Sequence, residues 1–85
     1  MTGQVGMKHG IPSVVGSGRA GVGYVRSPGS GAPTEVELTV LEEDGTERDL
    51  TLHPGDRFTV GDTEWVLQGV DDPGDADYTV WVAPA

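Results

Sequence analysis

Between Glu35 and Leu41 the chain reads E-V-E-L-T-V-L, with Val36, Leu38 and Val40 alternating against Glu35, Glu37 and Thr39. Side chains two positions apart share one face of a strand, whereas a helix would scatter them around its circumference. The segment therefore predicts a strand with one buried and one solvated face. No ten-residue stretch elsewhere combines helix formers with a 3.6-residue apolar period. The expectation is an all-β chain with little or no helix.

The same alternation sets how the strand pairs. Glu42-Glu43-Asp44-Gly45 supplies a turn, and Thr46–Leu52 returns with Leu50 and Leu52 on one face. A two-residue Asp44-Gly45 turn would set Leu38 across from Thr51 and split the apolar sets between faces. A three-residue loop, with Gly45 as a left-handed bulge, pairs Leu38 with Leu50 and Val36 with Leu52. It also places Val40 opposite Arg48, whose aliphatic stem can cover apolar surface.

Turn signals then recur at short intervals. His53-Pro54-Gly55-Asp56 has Pro and Gly where a type II turn needs them. Arg57–Val60 follows as a strand with Phe58 and Val60 inward, then a turn at Gly61–Glu64. Trp65–Val70 returns with Trp65 and Leu67 on the face that meets Phe58 and Val60. Asp72-Pro73-Gly74-Asp75 turns again, and Ala76–Val82 is the last strand. A register with Asp71 opposite Ala76 sets Leu67 against Val80 and Trp65 against Val82. It puts Val66 across from Trp81 on the outer face.

Five strands from a single meander leave one apolar face uncovered, and the first 34 residues must cover it. That segment is a different material. Residues 1–34 hold Lys8, Arg19 and Arg26 with no acid, so they carry +3, and they contain nine of the 14 glycines. Residues 35–85 hold all 14 acids against Arg48 and Arg57, giving -12 and a net charge of -9. Ala20–Arg26 is the best strand of the arm, with Val22 and Tyr24 on one face. Val5–Ser13 is a poorer strand, Gly16-Ser17-Gly18 a loop or tight turn, and Ser27–Thr34 a Gly/Pro/Ser loop. The 85 residues are expected to form one domain, a small antiparallel barrel or two-sheet sandwich built on the C-terminal meander.

Composition narrows the chemistry. With no cysteine, a disulfide framework, a thiolate zinc site and a thiol nucleophile are all excluded. The net negative charge opposes binding to nucleic acid or an anionic membrane, since both reward positive charge. Neither a signal-peptide pattern nor an apolar run of membrane-spanning length is present, so a cytoplasmic protein is expected.

Few residues offer chemistry. His9 and His53 are the only imidazoles, and either could serve as a base or ligand. His53 stands three residues before Asp56, within reach of a His–Asp hydrogen bond. The run Asp71–Asp77 packs four carboxylates around a Pro-Gly turn, but lacks the spacing of a calcium loop. Gly16-Ser17-Gly18 precedes Arg19 without the helix and Lys-Ser/Thr of a phosphate loop. No catalytic residue, metal ligand or cofactor is assigned.

The run from Leu50 to Val70, L-T-L-H-P-G-D-R-F-T-V-G-D-T-E-W-V-L-Q-G-V, together with His9-Gly10-Ile11-Pro12, resembles small uncharacterised domains of Streptomyces-type actinobacteria. The resemblance implies a bacterial, cytoplasmic protein and carries no functional residues onto this chain.

Two functional readings follow. The first is a non-catalytic domain that self-associates or binds a protein partner through an apolar patch of Trp81 and Val66, or through an edge strand. The second is a ligand-binding or enzymatic accessory protein. Its pocket would be lined by Trp65, Trp81, Tyr24 and Tyr78, with a polar group from His53, Asp56 or His9.

Overall fold

The computed structural model describes residues 3–26, 34–71 and 78–85. The predicted loop over 27–33 and the acidic turn over 72–77 lie outside the described residues. Eight strands appear in chain order: β1 Val5–Met7, β2 Ser13–Val15, β3 Gly18–Arg26, β4 Glu35–Leu41, β5 Glu47–Leu52, β6 Arg57–Val60, β7 Thr63–Asp71 and β8 Thr79–Pro84. They form two antiparallel four-stranded sheets, ordered β1-β8-β7-β6 and β2-β3-β4-β5. No helix occurs among the described residues, so none is long and apolar enough to cross a membrane. The fold is all-β, as the alternation predicts, and is a sandwich.

The inner faces meet over one apolar core. Val36, Leu38 and Val40 of β4 are fully buried, as are Leu67 of β7 and Val80 and Val82 of β8. Each such side chain contributes roughly 1.5–3 kcal/mol relative to an exposed position. Trp65 of β7 and Phe58 of β6 belong to the same cluster.

The β4–β5 hairpin follows the parity argument. Leu38 pairs with Leu50, Val36 with Leu52 and Val40 with Arg48. Gly45 takes φ +93°, a left-handed conformation that a β-carbon opposes. Phe58 and Trp65 share the inner face as expected, and they pair directly because β7 starts at Thr63, inside the expected Gly61–Glu64 turn.

The five C-terminal strands do not stay in one sheet. The His53–Asp56 turn, closed by Asp56 N–H donating to His53 C=O at 2.9 Å with Gly55 at φ +95°, carries the chain from one sheet to the other. It docks on β7, where Gly55 N–H donates to Leu67 C=O at 2.7 Å and Leu67 N–H to Asp56 C=O at 2.9 Å. The turn's own backbone groups are thereby satisfied, which a free hairpin tip would leave to water.

The N-terminal segment likewise is not a lid on one sheet. The single strand expected over Val5–Ser13 is broken at Lys8–Ile11, where Gly10 has φ +77° and Ile11 N–H donates to Lys8 C=O. β1 therefore joins one sheet, while β2 and β3 join the other. Both sheets gain their fourth strand from this segment.

Two further expectations are overturned. On β3 the register shifts between Val22 and Tyr24, so Val22 faces Leu38 inward while Tyr24 faces Glu37 on the outer face. The extra residue is Gly23, and a bulge of this kind reverses the parity of everything beyond it. In the last hairpin Asp71 pairs with Thr79 and not Ala76, so Trp81 lies opposite Gly69 and not Val66. A bulge between Leu67 and Gly69 takes back one residue of that displacement, leaving Val66 paired with Ala83, Leu67 with Val82 and Trp65 with Pro84. The last strand runs on to Pro84, beyond the expected Val82.

Charged side chains tie the two sheets at their open edges. Arg48, the inward charge of edge strand β5, donates to Glu42 Oε2 at 2.9 Å and to the Thr59 carbonyl of β6. The other oxygen of Glu42 accepts Gly61 N–H at 2.8 Å. One carboxylate thus links the β4–β5 loop to the β6–β7 turn.

Candidate functional site

The four aromatics expected to line one pocket are separated by the fold. Trp65 is a core residue, 5% exposed, packed under Gly16, and its Nε1 has no hydrogen-bond partner among the described residues. Tyr78 is buried edge-on against His9, with ring centroids 6.3 Å apart, and its hydroxyl is likewise unpartnered there. Burial raises the Tyr78 hydroxyl above its ordinary value of 10.0.

Trp81 is half-buried on the outer face of β1-β8-β7-β6. Its neighbours across both strands are glycines, Gly6 and Gly69. A β-carbon on Gly6 would come within 2.8 Å of the indole, so the ring lies directly over that strand's backbone. Its Nε1 donates to Asp71 Oδ2 at 2.8 Å. The indole is spent covering Gly6, and Val66, paired with Ala83, is also half-buried.

Tyr24, His53 and Asp56 do converge, and they bring in Glu35, which sequence reasoning missed. Tyr24 Oη donates to Glu35 Oε1 at 3.2 Å, and Glu35 Oε2 stands 3.9 Å from His53 Nε2. His53 Nδ1 is 3.6 Å from Asp56 Oδ2, which also accepts the His53 backbone N–H at 2.8 Å. Burial and the bond to Glu35 raise the Tyr24 hydroxyl, while the Arg26 guanidinium, 5.6 Å above its ring, opposes that rise. The arrangement clasps the start of β4 to the His53–Asp56 turn. Its imidazole distances exceed hydrogen-bond length, and among the described residues no group of three or more His, Asp and Glu is placed to hold a metal.

A groove of about 340 Å³ lies on the outer face of β2-β3-β4-β5. Its floor is Gly21 and Gly23 of β3 with Thr39 of β4, its rim is Arg19, Leu41 and Glu47, and Gly10 and Pro12 close one end. Among the described residues three large apolar side chains are exposed: Ile11 at 61%, Val14 at 67% and Leu41 at 41%. Val14 lies across from Arg19 and Arg19 across from Leu41, so Val14 and Leu41 flank Arg19 on this outer face. The groove exists because Gly21 presents nothing where its strand neighbours carry side chains: a β-carbon there would meet no atom within 4 Å. Hydrophobic patterning cannot find a site made from missing side chains.

Residues 2–83 match the model of a family of unknown function, DUF6406. The chain belongs to the DUF6406 family. No curated protein and no solved structure matches it. The matched span takes in β1 to β7 whole and β8 up to Ala83, so the groove and the Tyr24–Glu35–His53 clasp both lie inside this DUF6406 domain.

Proposed function

We propose that this domain acts by protein association, docking a partner on the outer face of β2-β3-β4-β5, and performs no catalytic step. The observation that carries the reading is the exposure of Val14 and Leu41 on one sheet face, beside a glycine-floored groove. A small domain has little to gain from large apolar side chains exposed on one face unless another surface covers them. The Trp81 face is the weaker candidate, because its indole already packs on Gly6 and is tethered to Asp71.

The reading places the domain in the cytoplasm of an actinobacterial cell, on the strength of the cysteine-free chain and the sequence resemblance. Its partners are proteins, since a net charge of -9 repels nucleic acid and anionic lipid. No cofactor has a part in it.

Site-specific photocrosslinking in the host cell tests the reading. A photoreactive residue at Leu41 or Val14 is expected to give discrete protein adducts, and the same residue at Thr59 or Gln68, exposed on the other sheet, is expected to give none. Equal yields at all four positions would overturn it.

A further inference from the structure

We infer that the partner on this face is a second copy of the same chain, held by Arg19 of each copy against Glu47 of the other. The inference rests on the association reading above and names its occupant.

The argument begins with the cations. Among the described residues Arg48 and Arg57 pair with carboxylates, Arg26 lies over Tyr24, and Lys8 donates to Thr79. Arg19 makes no hydrogen bond or ion pair there, although the chain carries 14 acids. It stands on the rim of the apolar groove. Glu47, on the opposite rim, has no side-chain partner among the described residues either.

The two are related by the sheet itself. Arg19 of β3 and Glu47 of β5 both lie directly opposite Leu41 of β4, one on each side. With strands about 4.8 Å apart, the unpaired cation and the unpaired carboxylate flank the exposed leucine symmetrically. A two-fold axis running along β4 and over Leu41 exchanges the two sides. It stacks Leu41 on its own copy and sets each Arg19 over the other chain's Glu47. Sheets pack face to face about 10 Å apart, a separation that two leucines, or an arginine with a glutamate, can fill. Such a contact is isologous, so one patch meets its own equivalent and the assembly closes at two.

The same axis sets a limit. At the far end of β4 it would face Glu37 with its own copy, so the contact belongs to the Leu41 end and the twist of the sheets separates the rest. Each copy also carries -9. At physiological salt that repulsion is screened beyond about 8 Å, which leaves the local Arg19–Glu47 pairs in control. An interface confined to part of one sheet face lies at the small, transient end of the range.

Sedimentation velocity at physiological salt, from about 10 µM to about 1 mM chain, reads the outcome. The wild-type chain is expected to dimerise with rising concentration. Arg19→Glu and Glu47→Arg are each expected to weaken the dimer at least about tenfold, and the double reversal to restore it. Glu37→Gln is expected to tighten it. A double reversal no better than the single variants overturns the pairing. If a reversal does not fold, Arg19→Gln and Glu47→Gln replace it: together they should weaken the dimer no further than either alone, and full additivity overturns the pairing. A wild-type chain that stays monomeric throughout overturns the dimer. The association reading survives that result if the Leu41 crosslinks lead to a different protein, and falls with it if they lead to none.

Discussion

Tyr78 shows how the core of this domain is built at the scale of one residue. Its ring fills space beside His9, yet its hydroxyl is buried with no partner among the described residues. A buried polar group left unbonded costs about 1–3 kcal/mol. Tyr78→Phe keeps the ring and removes the orphan, so chemical denaturation is expected to show a gain of about 1 kcal/mol or no loss. The pH dependence has a definite sign. Burial raises the folded-state value above 10.0, so the fold favours the neutral hydroxyl. The stability linked to it is whole below the ordinary value and is lost as pH rises through the raised one. Tyr78→Phe is expected to shrink that alkaline loss, leaving the part due to Tyr24. An alkaline limb identical to wild type would contradict the assignment.

Elements divide into those that pattern reveals and those that it hides. The β4–β5 hairpin was legible because Val36, Leu38 and Val40 repeat at two and only one loop length keeps Leu50 on their face. The shared inner face of Phe58 and Trp65 was legible for the same reason. The bulges at Gly23 and between Leu67 and Gly69 were not, since one extra residue reverses parity without altering composition. The first moved Tyr24 to the outer face beside Glu35; Trp81 faces Gly69 and not Val66 because the last hairpin closes at Asp71 and Thr79, a loop length that no pattern in the sequence sets. The passage between sheets at His53–Asp56 was hidden as well, because a type II turn reads alike in a hairpin and a crossover. Glu42 holds the loops at one end of the sandwich, accepting from Gly61 N–H and Arg48 together. Glu42→Ala leaves both donors without it, and equilibrium unfolding is expected to show a loss of about 1–2 kcal/mol. A change under about 0.5 kcal/mol, the usual range for a surface substitution, would mean that the bridge carries nothing.

At the scale of the whole molecule, the division between a +3 arm and a -12 remainder takes a structural form. The arm gives one strand to one sheet and two to the other, so it brings Arg19 onto the outer face that Glu47 of β5 shares, with Leu41 of β4 between them. The apolar material of that face, Val14 and Leu41, sits at strand positions whose parity marks them as outward, and the glycines between them make the groove. The sequence pointed to Trp81 and Val66 for an apolar surface, whereas the exposed Val14 and Leu41 lie on the other sheet, beside glycines that carry no hydrophobic signal. The central claim is that the domain associates with its own copy through the Leu41 face. Backbone amide NMR spectra across a concentration series test it most directly. Shifts that move with concentration are predicted to cluster at Gly21, Thr39, Leu41 and Glu47, with the amides around Trp81 unmoved. Spectra that do not change, or changes gathered around Trp81 and Gly6, would contradict it.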